Sequence, residues 1–96
     1  MAAYAIVELE ITDMEAMGPY LEAVPGTIEA HGGRYLVRAG ETEVVEGGIG
    51  QYPVKVILEF PSMESAKGWY ESEEYQAILA YRTENSKANF IWVEGV

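Results

Sequence analysis

The chain has 96 residues, of which 49% are hydrophobic and 23% charged, a composition that indicates one globular domain. The absence of cysteine excludes disulfides and thiolate chemistry, and a net charge of −10 disfavours binding to nucleic acid or to anionic membranes. Because neither a membrane-spanning apolar run nor a signal peptide is visible, we expect a cytoplasmic protein whose single domain covers residues 1–96.

The first part of the chain predicts a strand followed by a helix. Residues 4–11 alternate in a way that is typical of a strand. Asp13 supplies a capping oxygen for a helix, and the glycine pair at 32–33 ends it. Pro19 and Pro25 predict that this helix is kinked or divided into two short ones. Its apolar stripe is predicted to be Met17, Leu21, Val24, Ile28 and His31.

The remaining elements complete a known order. A second strand begins at Arg34, with Gly40 marking a bend or bulge before an extended stretch over 42–46 and a turn-rich loop over 47–53. A third strand over 54–60 is followed by two short helices, capped by Ser62 and Ser72, and by a strand over 89–94. The order β-α-β-β-α-β predicts an α+β, ferredoxin-like fold with four antiparallel strands and helices on one face of the sheet.

The alternation within the strands also predicts an assembly. We expect the helix-covered face to hold Val7, Leu9, Tyr35, Val37, Val56, Leu58, Phe60, Ile91 and Val93. The opposite face is then expected to combine charged residues, Arg34 and Arg38 among them, with Ile6, Leu36, Ile57, Phe90 and Trp92. Because an apolar patch of this size is uncommon on a monomer, the pattern predicts a homodimer joined through this face.

Several segments together resemble a known family. They are HGGRYLVR at 31–38 with Gly40, EFPS at 59–62, WYxSxxYQ at 69–76, Arg82, and VEG at 93–95. Their order and spacing are similar to those of the bacterial domain-of-unknown-function family 1330, over essentially the whole chain. The resemblance implies membership of the dimeric α+β-barrel superfamily, which includes antibiotic-biosynthesis monooxygenases, and a dimer joined through the sheets. It implies no particular reaction.

Three polar residues are candidates for chemistry, and each has a structural alternative. His31 is the only histidine, so it is either a proton-transfer group or a helix-terminal residue that meets the last carbonyls of the helix. Arg34 and Arg38 are predicted to share a strand face, where they bind a substrate carboxylate or enolate or pair with glutamates on neighbouring strands.

The other candidates are expected on the inner side of the last helices. Trp69, Tyr70 and Tyr75 are either core residues or the wall of a ligand pocket, and Arg82 is predicted to face inward with its charge satisfied locally. Because the chain has one histidine and no cysteine, we expect neither a metal site nor a cofactor. The glycines at 47–50 lead into a strand rather than a helix, which argues against a phosphate-binding loop.

Two functions remain open at this point. The first is a module that binds a small molecule in the cleft between sheet and helices, without chemistry. The second is a cofactor-independent enzyme, monooxygenase-like or isomerase-like, acting on a small and partly apolar organic substrate. In that enzyme His31 transfers protons, Arg38 stabilises a developing oxyanion, and both reach one cavity. The substrate-binding residues are predicted to be Arg34, Trp69, Tyr70, Tyr75 and Arg82.

Overall fold

The predicted ferredoxin-like arrangement is confirmed by a computed structural model that describes residues 1–48 and 50–96. Ile49, in the predicted loop, lies outside the described residues. The elements are β1 (Ala3–Ile11), α1 (Met14–Ala30), β2 (Arg34–Arg38), β3 (Val54–Phe60), α2 (Met63–Glu71), α3 (Glu73–Asn85) and β4 (Ser86–Glu94). The four strands form one antiparallel sheet in the order β2-β3-β1-β4. None of the described helices is both long and apolar enough to cross a membrane.

The helix starts follow the predicted capping chemistry. Asp13 Oδ1 accepts the Ala16 amide at 3.1 Å, and Ser62 Oγ accepts the Ser65 amide at 3.1 Å. Ser72 ends α2 and caps α3, since its Oγ accepts an amide in the first turn of α3 at 3.3 Å. Each side chain satisfies a backbone N–H that has no partner within its helix.

Helix α1 runs without interruption through Pro19 and Pro25, so of the two predicted alternatives, a kinked helix or two short ones, the second is wrong. Its buried residues are Met17, Tyr20, Val24 and Ile28. Leu21, predicted to lie on this inner stripe, is 36% exposed. Tyr20 follows Met17 by three residues and Leu21 follows it by four, and both spacings fit one helix face. The larger side chain, Tyr20, occupies the buried position.

The end of α1 sets the direction in which β2 leaves. Gly32 has φ +76°, and the Gly33 amide donates to Ile28 O at 3.0 Å, which is the Schellman pattern of a helix end. A Cβ on Gly33 would lie 2.5 Å from the Phe60 ring, so this position requires glycine for close approach. The turn therefore fixes β2 against the end of β3.

Strand β2 differs from its predicted faces because a register shift lies between Tyr35 and Val37, not at Gly40. The irregularity places Val37 opposite Ile57, on the face away from the helices. Arg38 pairs with Val56, so the prediction that Arg38 lies on the face away from the helices is wrong. The stretch over 42–46 is also not a strand.

Strand β4 begins at Ser86 rather than at residue 89, and its two faces are the reverse of the prediction. Trp92 pairs with Ala5, a core residue, and Phe90 pairs with Val7, so both aromatic side chains pack on the helix side. Ile91 and Val93 instead lie on the other side, where they are 56% and 43% exposed. We call this side the open face; its apolar residues are Ile6, Val37, Ile57, Ile91 and Val93.

Candidate functional site

An aromatic cluster occupies the space between the sheet and the helices, with Trp69 at its centre. The Trp69 ring lies 4.2 to 6.4 Å, between centroids, from five other rings. These are Phe60, Tyr70, Tyr75, Phe90 and Trp92. Trp69 Nε1 donates to Thr27 Oγ1 at 3.0 Å, which fixes the indole against α1. The three aromatic residues predicted for the site therefore do come together.

Arg82 is buried at the edge of this cluster, with only 6% of its surface exposed. Its guanidinium carbon lies 5.9 Å from the centroid of the Tyr20 ring and 5.8 Å from that of Phe90, which is cation–π geometry. Among the described residues Arg82 takes part in no ion pair, and its Nε has no hydrogen-bond partner. Arg82 therefore faces inward, as the spacing predicted, and among the described residues its charge lies against aromatic faces and the hydroxyls of Tyr20 and Tyr75 rather than against a carboxylate.

Two tyrosine hydroxyls lie beside this guanidinium. Tyr20 Oη and Tyr75 Oη are 2.8 Å apart and share a hydrogen bond. Burial, followed by the charge and hydrogen bond of Tyr75, raises the pKa of Tyr20, while Arg82 opposes the shift. Burial disfavours the charge of Arg82, but Tyr75 and Tyr20 outweigh it and raise the pKa of the guanidinium. The neutral phenol and the charged guanidinium are thus the stable forms at neutral pH.

Sequence reasoning missed Tyr20. The signal was present in the spacing of Met17, Tyr20 and Val24, which matches a helix face as well as the spacing through Leu21 does.

His31 lies at the C-terminal end of α1, where its amide donates to Ile28 O at 3.1 Å. Its Nε2 is 3.6 Å from Glu74 Oε2 in the first turn of α3. Hydrogen bonds from Ser72 and from the backbone amide of Glu74, followed by His31, lower the pKa of the Glu74 carboxyl. The imidazole therefore links the end of α1 to the start of α3.

Arg34 and Arg38 of β2 lie on opposite faces of the sheet, so the prediction that they share a strand face is wrong. Arg34 Nε donates to Glu59 Oε1 at 2.8 Å, an ion pair on the open face. The Arg38 guanidinium carbon lies 4.8 Å from the centroid of the Tyr35 ring, on the helix side. Burial raises the pKa of Tyr35, against the opposing charge of Arg38. Neither His31 nor Arg38 lines either of the two concavities described next.

One concavity, of about 900 Å³, lies on the open face beneath the loop that follows β2. Its walls are mainly apolar, with Ile6, Ile57 and Ile91 at its floor. Lys55 holds the loop by donating to the carbonyl oxygens of Tyr52 and Gly50, and its Nζ lies 3.8 Å from a Glu8 carboxylate oxygen. Lys55 and Glu8 are thereby paired, whereas Glu41, Glu43 and Glu46 of the loop add carboxylates to a lining that is otherwise mainly apolar.

A second concavity, of about 870 Å³, is a groove between α1 and α3 with Asp13, Glu15 and Glu84 among its lining residues. In the part of the chain that the structure describes, no three histidine or carboxylate side chains are arranged to hold a metal ion.

Comparison with solved structures supports the fold. A protein of unknown function from Rhodopseudomonas palustris is 13% identical, with a TM-score of 0.78 over 99% of this chain and 82% of that one. A dimeric ferredoxin-like protein of unknown function from Jannaschia sp. CCS1 is 15% identical, with a TM-score of 0.66 over 99% of this chain and all of that one (100%). An antibiotic biosynthesis monooxygenase is 10% identical, with a TM-score of 0.53 over 100% of this chain and 99% of that one.

None of the curated proteins matches the sequence. The model of one family, the domain of unknown function DUF1330, matches residues 2–96. Since that match spans nearly the whole sequence, the chain belongs to the DUF1330 family.

Proposed function

We propose that the protein is a homodimer that binds a small, partly apolar organic anion between its sheet and its helices. The guanidinium of Arg82 is the contact for the negative charge, and Trp69, Tyr70 and Tyr75 are the apolar surroundings. The observation that carries the proposal is the burial of Arg82 among aromatic rings without a carboxylate partner among the described residues.

Physical reasoning supports a role in binding rather than in stability. The hydroxyls of Tyr20 and Tyr75 beside Arg82 accept hydrogen bonds but are neutral, and a buried charge without a counter-charge costs folding free energy because water is removed. Within the described residues, an orphaned donor on a nine-tenths buried arginine is the kind of exception that calls for an external partner. An anion supplies both the missing charge and the missing acceptor.

Two observations support the dimer. The open face carries Ile91 and Val93 largely exposed, beside Ile6 and Ile57, which forms an apolar patch unusual for a monomer. Proteins of the same fold from Jannaschia sp. CCS1 and Bacteroides fragilis are described as dimeric. The ion pair of Arg34 with Glu59 borders this patch and belongs to the interface in this proposal, rather than to the ligand site.

A cofactor-independent enzyme is the second candidate. It is supported by the fold shared with an antibiotic biosynthesis monooxygenase and by the helix-side position of both His31 and Arg38. In this proposal His31 moves a proton on a bound ligand and Arg38 stabilises the resulting oxyanion. The test is turnover of the identified ligand by His31→Gln and Arg38→Met: a loss of turnover with unchanged ligand affinity supports the enzyme, and no turnover by the native protein rejects it.

The binding proposal is tested by incubating the purified protein with a metabolite extract and identifying the retained small molecules by mass spectrometry. Arg82→Met is run in parallel, with Lys67→Met as a matched control that removes one positive charge from an exposed position on α2. An organic anion retained by the native protein and by the Lys67 variant but not by Arg82→Met is the expected result. Equal retention by all three proteins, or retention by none, contradicts the proposal.

A further inference from the structure

We infer that the anion taken at Arg82 is an aromatic monocarboxylate, whose carboxylate meets the Nε edge of the guanidinium and whose ring stacks within the aromatic cluster. This inference rests on the proposed function and names its ligand class. It follows from three features of the site: the unused edge of Arg82, the hydroxyl pair beside it, and the surrounding rings.

The geometry of the unsatisfied atom selects a carboxylate. Nε–H of arginine and the neighbouring Nη–H point in parallel, so together they form a fork that matches the two oxygens of a carboxylate. In Arg82 the Nε side of this fork is buried and has no acceptor among the described residues. An acceptor with two oxygens in one plane satisfies both donors at once, whereas a single hydroxyl or ketone oxygen leaves one of them unsatisfied.

The tyrosine pair supplies a further donor. Tyr20 and Tyr75 carry one hydroxyl proton each and share one hydrogen bond, so only one of the two protons is used between them. The other O–H has no acceptor among the described hydrogen bonds of this site, and both rings lie on the side of the cluster that holds Arg82. Arg82, Tyr20 and Tyr75 together therefore have more hydrogen-bond donors than acceptors to receive them. This suits an anion and does not suit a cation or a ligand that carries only donors.

The rings around the site favour a flat, unsaturated body. Phe90 faces the Arg82 guanidinium, and the Tyr70 and Phe90 rings meet edge to face with centroids 5.6 Å apart. Tyr70 and Phe90 are both only partly buried, and neither of the two described concavities reaches them, so a ligand enters this site by displacing ring contacts. An aromatic ligand replaces those contacts with equivalent ones, whereas an alkyl chain does not.

The charge of the site limits the ligand to one negative charge. Among the described residues, Arg82 is the only cation that lies over a ring of the cluster, since the Arg38 guanidinium lies over Tyr35, and the chain as a whole carries a net charge of −10. A second negative charge on the ligand is left without a partner in a buried site and is repelled by the rest of the molecule. Phosphate esters and dicarboxylates are therefore expected to bind less tightly than a monocarboxylate.

The inference is tested by titration calorimetry with four probes: cinnamate, cinnamyl alcohol, hexanoate and phenyl phosphate. The alcohol removes the charge of cinnamate, hexanoate removes the ring, and phenyl phosphate adds a second charge. We expect cinnamate to bind at least about tenfold more tightly than cinnamyl alcohol, because the alcohol loses the charge-assisted fork. Hexanoate loses a stacked ring and is expected to bind about two- to tenfold more weakly than cinnamate. Phenyl phosphate is expected to bind more weakly than cinnamate because its second charge has no partner.

Substitutions then connect the affinity to the fork. Arg82→Met is expected to weaken cinnamate binding at least about tenfold. Arg82→Lys, which keeps the charge but has no parallel pair of donors, is expected to remain weaker than the native protein. Lys67→Met is the control on an exposed residue and is expected to bind cinnamate as the native protein does.

The contrary outcomes separate the inference from the proposed function. If hexanoate binds as tightly as cinnamate and both depend on Arg82, the aromatic class is rejected and the proposed function is supported. If phenyl phosphate binds more tightly than cinnamate, the single charge is rejected. If none of the four probes binds, the ligand class named here is rejected, and the metabolite experiment alone then decides the proposed function.

Discussion

Replacing Arg82 with methionine is expected to leave the protein about as stable as the native chain, or more stable, although the residue is 6% exposed and lies at the core. Methionine keeps an unbranched apolar stem of similar length and removes the charge. In other proteins, replacing a buried ion pair by apolar residues of similar volume is often neutral or stabilising by about 1–4 kcal/mol, and Arg82 has no opposite charge to lose among the described residues.

The contacts of Arg82 set the size of the effect. The orphaned Nε costs about 1–3 kcal/mol, and methionine removes that cost. The contacts with the Tyr20 and Phe90 rings, at 5.9 and 5.8 Å, stabilise by about 0.5–1 kcal/mol each and are lost. The net change in the free energy of unfolding therefore lies between a loss of about 1 and a gain of about 2 kcal/mol.

Urea unfolding followed by far-UV circular dichroism measures this change, at a fixed protomer concentration because the stability of the proposed dimer depends on concentration. Arg82→Ala is the informative companion, since it removes the charge but also leaves a cavity, and it is expected to be less stable than Arg82→Met. A loss of more than about 3 kcal/mol in Arg82→Met refutes the reasoning, because the guanidinium is then held by stabilising contacts and its burial no longer indicates a ligand.

Three further outcomes are expected. Gly33→Ala places a Cβ 2.5 Å from the Phe60 ring and is expected to lower the free energy of unfolding by about 1–3 kcal/mol. Gly68 lies inside α2, where an added Cβ has no atom within 4 Å, so Gly68→Ala is expected to raise the free energy of unfolding by about 0.5–1 kcal/mol. Urea midpoints that shift in the same direction for both variants contradict the packing argument. Ile57→Asp on the open face is expected to halve the mass measured by light scattering, and an unchanged mass refutes the proposed interface. Because the pKa of Glu74 is lowered in the fold, its stabilising effect is present above the ordinary carboxyl pKa of about 4.3 and lost as pH falls below it. The urea midpoint of Glu74→Gln is therefore expected to lie below the native one at pH 6 and to converge with it at low pH; a gap that persists in acid contradicts this.

The parts of the fold that depend on local chemistry could be predicted from the sequence. The capping oxygens of Asp13, Ser62 and Ser72 act within three residues of themselves, so their role can be recognised without knowing the tertiary structure. The glycine pair that ends α1 is a local signal of the same kind.

The faces of β4 could not be predicted in this way, because apolar residues occupy both of them. Phe90 and Trp92 alternate with Ile91 and Val93, so a period of two residues carries no information about which pair faces the helices. The pairing with β1 decides the question: Ala5 leaves room on the helix side for the indole of Trp92. On β2 the alternation was informative, but the irregularity after Tyr35 reverses it within one strand.

The candidate site shows the same division. Trp69, Tyr75 and Arg82 lie on helices whose inner faces the spacing indicates, and all three are buried. That Arg82 has no carboxylate among its described neighbours depends on which residues two other elements bring to it, including Tyr20 from α1. The spacing of residues along the chain cannot show that a buried charge has no opposite charge beside it in the fold.

The aromatic cluster has a practical consequence for spectroscopy. Both tryptophans of the chain belong to it, with the Trp69 and Trp92 ring centroids 6.2 Å apart. Tryptophan emission therefore originates from one place, where α2 meets β4, and excitation passes readily between the two indoles at this distance. A change in tryptophan emission therefore reports events where the helices pack on the sheet, whereas the open face and its loop carry tyrosines such as Tyr4 and Tyr52 but no tryptophan.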